Sequence, residues 1–182
     1  MLKQEKQVNQ HLIKWYAQNK RELPWRKLYK NNLPNPYYVF VSEYMLQQTT
    51  VNTVKERFIE FINYWPTLKK LATATEPQIL KFWSGLGYYS RARNLLKATK
   101  IINKKFNSKI PNNYEDLILL PGIGDYTAKA ILGIALNKSV MPLDANIERI
   151  LLRLHAIDKP INKVKNILKD LGNKFISDKY SS

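Results

Sequence analysis

An all-α fold is what this sequence predicts, on three observations. Apolar residues recur at helical spacing in nearly every segment, as in VNQHLIKWYAQN, where Val8, Leu12, Trp15 and Tyr16 share one face. Capping residues and first-turn prolines stand where these runs begin. No stretch alternates convincingly as a strand, and there is neither a sequence repeat nor a low-complexity tract. The elements follow in order. A Pro-containing connector, ELPWRKLYKNNLPN, comes after the first helix. Asn35 and Pro36 form a cap and first-turn pair for a helix through PYYVFVSEYMLQQT. VNTVKERFIEFINYW is amphipathic and stops at Pro66, and Thr67 caps LKKLATA. Thr75 with Gln78 makes a capping box, with Pro77 in the first turn, for a helix through ILKFWSGL. SRARNLLKATKIINKKF is a long basic amphipathic helix. YEDLILL and YTAKAILGIAL flank a glycine turn, and NIERILLRLHAI and NKVKNILKDLGNKFIS finish the chain. Polar connectors near 29–36 and 107–113 are the expected lobe junctions.

A length of 182 residues suits one domain or two small lobes sharing a core. Hydrophobic residues at 45% and aromatics at 12% suffice for a packed core and argue against wholesale disorder. Lys and Arg total 30 against 14 Asp and Glu, a net charge of +16. Such an excess favours a polyanionic partner, nucleic acid or an acidic membrane surface; the plainer source is a Lys-rich, Asn-rich proteome. The chain has no cysteine, which excludes disulfides, thiolate zinc sites and cysteine-bound iron–sulfur clusters on it. His11 and His155 are too scattered for a metal box, so no metal ligands are assigned. The start MLKQEKQVNQ is polar, and no apolar run approaches the ~20 residues a membrane span needs. The expected location is the cytoplasm, with the nucleoid if the source is bacterial.

LLPGIGDYTAKA, residues 119–130, is a helix–hairpin–helix pattern. Gly122 and Gly124 can adopt positive φ and admit close approach of another backbone. Free N–H groups at the start of the following helix, with its positive end, suit a DNA phosphate. The plainer reading is a tight helix–helix turn. Such a turn grips without reading sequence, so chemistry is sought elsewhere.

Acidic residues are scarce, and two stand in apolar settings. Glu43 lies within VFVSEYMLQQT, where burial would raise its pKa and let it deliver a proton near neutral pH. Asp144, in VMPLDANIERI, is either a simple N-cap or an ionised carboxylate facing a developing positive charge. Two such carboxyls can break an N-glycosidic bond, one protonating the leaving base and the other stabilising an oxocarbenium-like sugar. A glycosylase acting on duplex must also extrude the nucleotide and fill the gap. Gln47 and Gln48 could fill it, or be ordinary surface residues. In GLGYYSRARNL, Tyr88 and Tyr89 could stack or wedge beside bases while Arg91 and Arg93 reach phosphates. Alternatively they only flank a helix start. LPWR offers Trp25 as packing and Arg26 as a base or phosphate contact.

LPWR, SEYMLQQT, WSGLGYYSRARNL, LPGIGDYTA and LDANIER occur in this order. Together they resemble the catalytic domain of adenine DNA glycosylases, the MutY group within the helix–hairpin–helix superfamily, over about residues 5–178. MLQQT and GLGYYxRA are specific to that group, more so than the hairpin. The resemblance implies a helix–hairpin–helix glycosylase fold of two helical lobes with a DNA cleft between them. Residues 1–28 would be an N-terminal helix and connector belonging to the second lobe, 29–135 the lobe ending in the hairpin, and 136–182 the second lobe. It implies a monomer that removes adenine opposite 8-oxoguanine or guanine in double-stranded DNA. By position, Glu43 would protonate adenine and Asp144 would stabilise the oxocarbenium ion. Tyr126 and Asn146 would assist around the sugar, and Arg26 and Leu46 would line the adenine pocket. Gln48 would intercalate, Tyr88 would wedge beside the orphan base, and Gly122 and Gly124 would hold phosphate. Relatives with strong lyase activity, which resemble endonuclease III, carry lysine at the place of Tyr126 to form a Schiff base. A tyrosine implies a monofunctional enzyme, and Lys129 is expected on a solvated face. A thymine glycosylase acting on G:T mismatches and a non-catalytic DNA-binding form of the same fold are the alternatives.

Three departures from the family pattern are visible. Ala145 follows the aspartate where glycine is more familiar. The cysteines that hold the family's 4Fe–4S cluster are absent, so the cluster would need a region beyond DKYSS. The Nudix-like C-terminal domain is absent as well, and a truncated or partial chain is the simplest expectation. The N-terminal helix of this fold packs on later helices, so Val8, Leu12 and Trp15 are expected partly exposed.

Overall fold

A computed structural model describes residues 3–176, with all their side chains except those of residues 3–6 and Lys30. Ten α-helices follow one another among these residues: α1 Lys3–Asn19, α2 Pro36–Leu46, α3 Val51–Tyr64, α4 Leu68–Ala72, α5 Glu76–Phe82, α6 Ser90–Lys105, α7 Tyr114–Ile118, α8 Asp125–Leu136, α9 Ala145–Leu154 and α10 Ile161–Asn173. The all-α expectation holds among the described residues, where extended pairing is limited to one isolated bridge between Leu28 and Pro34. Ser177, the last residue of the run expected to form the final helix, lies outside them.

The caps act as their chemistry dictates. Asn35 accepts a hydrogen bond from Tyr37 N, Thr50 from Thr53 N, Thr67 from Lys70 N and Asn113 from Asp116 N. Thr75 and Gln78 make the capping box that opens α5. Helix α2 is the hub. It is apolar nearly all round and accordingly central, packing against α3, α6 and α8. Its expected extension through Thr49 is cut short at Leu46, and Gln48 already has φ 57.

Among the described residues two hydrophobic clusters form. The large one gathers Phe40, Tyr44, Phe58, Phe61, Trp65, Trp83, Leu95 and Ile131 with their neighbours from α2 to α8. Each such side chain contributes roughly 1.5–3 kcal/mol by leaving water. Leu23 and Trp25, in the stretch assigned with the second lobe, join this large cluster instead. Their apolar bulk finds its complement there, and the Trp25 ring meets Phe58 edge-on. The small cluster is built on Leu151, Val164 and Leu168 of α9 and α10. Helix α1 is tied to it by Asn9 Nδ2, which donates to Phe175 O at 3.1 Å. Its outer face leaves Leu12 and Trp15 57% and 61% exposed, as its sequence position led one to expect, and Val8 half-buried.

Candidate active site

Beside the large cluster lies a cleft of about 380 Å³, lined by Arg26, Glu43, Leu46, Gln48, Tyr126, Thr127 and Asp144 among others. The chain folds so that three elements meet there. Glu43 comes from the middle of α2, where its neighbours are core residues, and only 7% of it is exposed. Desolvation pushes its carboxyl up to about 7, and the nearby Arg26 guanidinium pulls it back only in part. Tyr126 stands in the first turn of α8. Burial of its phenol and the proximity of Glu43 and Asp144 push it up to about 12, against the opposing pull of Arg26. These mutual influences place four named groups in one electrostatic neighbourhood.

Asp144 comes from the other side, at the N-cap of α9. Its two sequence readings are compatible. Oδ1 accepts from Asn146 N at 3.0 Å and Ile147 N at 2.8 Å, which is the cap. Oδ2 accepts from Asn146 Nδ2 at 3.2 Å, and the residue still lines the cleft. The positive end of α9 favours negative charge at this position. Asn146 is itself steadied by Arg149, whose Nη2 donates to Asn146 Oδ1 at 3.2 Å. A substrate atom in the cleft would therefore meet a carboxyl able to be protonated near neutrality on one side and a hydrogen-bonded carboxylate on the other.

Arg26 ends a 3-10 turn, Pro24–Arg26, and donates from Nη1 to Tyr16 OH at 3.1 Å. Its Nε–H is buried without a partner among the described residues, an uncommon state for such a donor. Leu46 is half-buried at the end of α2.

The glycine turn divides its labour unequally. Gly122 has φ 81, and a Cβ there would lie 2.9 Å from both Asn94 Cβ and Tyr44 Cε1. Gly124 has φ −98, so the expected positive φ does not occur at it. As the N-cap of α8 it needs only extended backbone, which any residue adopts. What distinguishes Gly124 is open space: among the described residues, no atom beyond its own chain neighbours lies within 4 Å of where a Cβ would be. The turn is fastened to α2 twice: Tyr44 OH donates to Pro121 O, and Gln47 Nε2 donates to Gly122 O at 3.1 Å.

Gln48 and Tyr88 are exposed, each with positive φ, 57 and 46. Arg91 requires a correction. It was expected at a phosphate, but it is buried, with its guanidinium donating to backbone carbonyls at the end of α2 and in the loop before α6. Helical phase explains this: one position beyond Ser90, Arg91 turns toward the core with Ala92 and Leu95. Arg93 is exposed and paired with Glu76 at 2.7 Å. Lys129 is not freely solvated either; its side chain is 14% exposed and its ammonium donates to Asp125 at 2.9 Å. Sequence reasoning missed Arg21, Val51, Thr127 and Ile134 in the cleft wall. Thr127 and Ile134 had a usable signal, since they sit one and eight positions after Tyr126 on α8. It also missed Tyr44 as the bolt between α2 and the hairpin.

Among the described residues no helix is long and apolar enough to cross a membrane. With no cysteine, the chain's own residues supply none of the thiolates that a 4Fe–4S cluster requires.

The chain is similar in sequence to curated adenine DNA glycosylases. The chain is 44% identical over 150 residues to an adenine DNA glycosylase of Buchnera aphidicola subsp. Baizongia pistaciae, covering 82% of this chain and 41% of that one. It is 42% identical over 172 residues to the adenine DNA glycosylase of Rattus norvegicus, covering 91% and 33%, and 41% identical over 150 residues to that of Homo sapiens, covering 80% and 28%. The chain thus spans less than half the length of these curated relatives. Among solved structures, a thermostable thymine-DNA glycosylase superposes with a TM-score of 0.79 at 22% identity, covering 95% of this chain and 81% of that one. A trapped endonuclease III–DNA covalent intermediate superposes at 0.77 and 21%, covering 100% and 82%. At such identities the likeness speaks for the fold. The profile of the HhH-GPD superfamily of base excision DNA repair proteins matches residues 41–174, and the chain belongs to that superfamily.

Proposed function

We propose that this chain is the catalytic core of a monofunctional DNA glycosylase that removes adenine mispaired with 8-oxoguanine or guanine. The observation that carries the reading is Glu43, a buried carboxyl raised to about 7, lining one cleft with Tyr126 and Asp144. Similarity to adenine DNA glycosylases supports the choice of base.

The chemistry follows from the two carboxyls. An extruded adenine enters the cleft, with Leu46 against its face and the Arg26 Nε–H available to it. Glu43 gives its proton to a ring nitrogen of adenine. The glycosidic C–N bond breaks, its electron pair leaves with the base, and positive charge develops on the sugar. Asp144, held by Asn146 and the α9 N-terminus, stabilises that charge. Water adds to the sugar carbon, and its proton passes to the Glu43 carboxylate, restoring the acid. Tyr126 has no amine with which to form a Schiff base, so the abasic strand stays intact. Gly124 and the free N–H groups of α8 hold a phosphate, and Gln48 and Tyr88 enter the stack. The chain works as a monomer on double-stranded DNA, its charge of +16 drawing the duplex. Any 4Fe–4S cluster would have to be held by residues outside this sequence.

Single-turnover cleavage of labelled duplexes bearing A opposite 8-oxoguanine, A opposite G, and T opposite G tests the reading, each with and without alkali. Breakage at A that needs alkali is expected. Breakage at T would transfer the assignment to a thymine glycosylase. Binding without breakage would leave a non-catalytic DNA-binding fold.

A further inference from the structure

The end of α2 and the loop before α6 are far apart in sequence, yet one side chain holds both. Arg91 Nη1 donates to the carbonyls of Tyr44 (3.3 Å), Met45 (2.9 Å) and Gln47. Its Nη2 donates to Thr49 Oγ1 (3.0 Å), Leu86 O (2.7 Å) and Gly87 O (3.1 Å). These acceptors bracket two residues. Gln47 and Thr49 stand either side of Gln48, and Leu86 and Gly87 immediately precede Tyr88. The guanidinium carbon lies 5.6 Å from the ring centroids of both Tyr88 and Trp83. Trp83 Nε1 adds a bond to Gly87 O at 3.1 Å, so the second loop is held from two directions.

We propose that Arg91 is a positioning residue that sets Gln48 and Tyr88 as one rigid two-pronged wedge. The inference rests on the DNA glycosylase reading above, which makes both residues intercalators, and adds what fixes their relation to one another.

Three arguments carry it. Both prongs are exposed non-glycine residues in the left-handed region, at φ 57 and φ 46. That conformation costs roughly 1–2 kcal/mol per residue and persists only where the surroundings over-determine it. Arg91 makes most of the bonds that join the two surroundings, beside the bond that Thr49 Oγ1 donates to Leu86 O at 3.5 Å. Second, the bonds of this buried cation among the described residues include no carboxylate. Its charge is met by carbonyl dipoles, several from the end of α2, and by two aromatic faces. Burying a charge in this way is a poor choice for packing alone, where an apolar side chain would serve. Third, only a planar fork reaches both loops at once; the point charge of a lysine on a flexible stem cannot reproduce it. Extruding a nucleotide leaves a vacancy in one strand and an orphan base in the other, so a wedge of fixed span holds both consequences together.

The test uses the whole chain, its Arg91→Lys and Thr49→Val variants, and duplexes with 2-aminopurine in place of adenine opposite guanine. Fluorescence at saturating protein reads unstacking separately from affinity, and hydrogen exchange reads the two loops. In Arg91→Lys, residues 47–49 and 86–88 should gain exchange together. Duplex affinity should stay close to the parent's because the hairpin is untouched. The fluorescence rise should be lost, and single-turnover release of adenine from the parallel duplex bearing A opposite G should slow by about 100-fold, the scale of a misplaced catalytic geometry. Thr49→Val, which removes one acceptor of Arg91 together with the hydroxyl's own bond to Leu86 O and threatens the fold less, should lie between parent and Arg91→Lys. A full fluorescence rise in Arg91→Lys would overturn the proposal, as would loosening of one loop alone. So would a loss of affinity and melting temperature with unstacking per bound complex preserved, since that marks a purely structural arginine. No fluorescence rise in the parent would sink the wedge itself, and would point to the intercalator reading as the failure.

Discussion

The ring of Tyr44 lies so close against Gly122 that a Cβ there would sit 2.9 Å from Tyr44 Cε1. Tyr44 follows Glu43 in sequence, and its hydroxyl donates to Pro121 O in the same turn. The group proposed to deliver a proton and the turn proposed to grip phosphate thus share one rigid mount.

Gly122 and Gly124 should accordingly respond differently to alanine. Gly122→Ala adds a Cβ into occupied space at positive φ, and should destabilise the fold by roughly 2–4 kcal/mol. Gly124→Ala meets no atom and no backbone strain, so its stability should change by less than about 0.5 kcal/mol. Its methyl would nevertheless stand over the free N–H groups of α8 and weaken duplex binding. Thermal melts paired with duplex titrations check this; equal affinity for Gly124→Ala and the parent would remove the phosphate from this turn.

Glu43 makes stability depend on pH in a definite direction. Its carboxyl has an ordinary value of 4.5 and a folded value of about 7. The folded state binds the proton more tightly, so the associated stability is full below pH 4.5 and is lost as pH rises through about 7. The loss is on the order of 3 kcal/mol. Glu43→Gln should therefore melt higher than the parent at pH 8 and gain little at pH 5. Base release by the parent should fall above pH 7 as the acid ionises, and be abolished in Glu43→Gln with duplex binding retained. Comparable release by Glu43→Gln would dismiss the assigned role.

Asp144 can be dissected by its two tasks. Asp144→Asn keeps an N-cap acceptor for Asn146 N and Ile147 N, whereas Asp144→Ala loses the cap at a cost of about 1 kcal/mol. Both remove the charge beside the sugar. Melting temperatures should separate the two variants while single-turnover rates fall strongly in both. A rate that tracked melting temperature would mean that the residue is a cap and nothing more.

Tyr126→Lys should introduce an amine into the cleft between Glu43 and Asp144. Reduction with borohydride in the presence of cleaved duplex is then expected to trap a protein–DNA adduct that the parent does not give. Absence of an adduct in a variant that still releases base would place this position too far from the sugar carbon.

Much of this was legible in the sequence because local chemistry decided it. Asn35–Pro36, Thr67 and the Thr75–Gln78 box set helix starts by hydrogen bonds within a turn. Glu43 stood out because an acid among Val, Phe, Tyr and Met must be desolvated wherever that helix packs. Arg91 was misread for the opposite reason. Apart from the Thr49 hydroxyl, its acceptors are the carbonyls of residues 44, 45, 47, 86 and 87, and backbone acceptors carry no signature in sequence. Gly124 was misread because a Gly-x-Gly pair does not say which glycine bends and which merely makes room. The pairing of Lys129 with Asp125 was open to reading at i, i+4 spacing, but a default of solvation hid it.

The inequality of the two hydrophobic clusters has a thermal consequence. Glu43 is anchored in the large one, while Asp144 begins a helix whose buried support is Leu151, Val164 and Leu168. Local opening begins where few apolar contacts resist it. On warming, the carboxylate should lose its register with the acid while the aromatic core still reports a folded protein. The working temperature of the site is then set by its weaker half, and inactivation should precede the melting observed from the tryptophans.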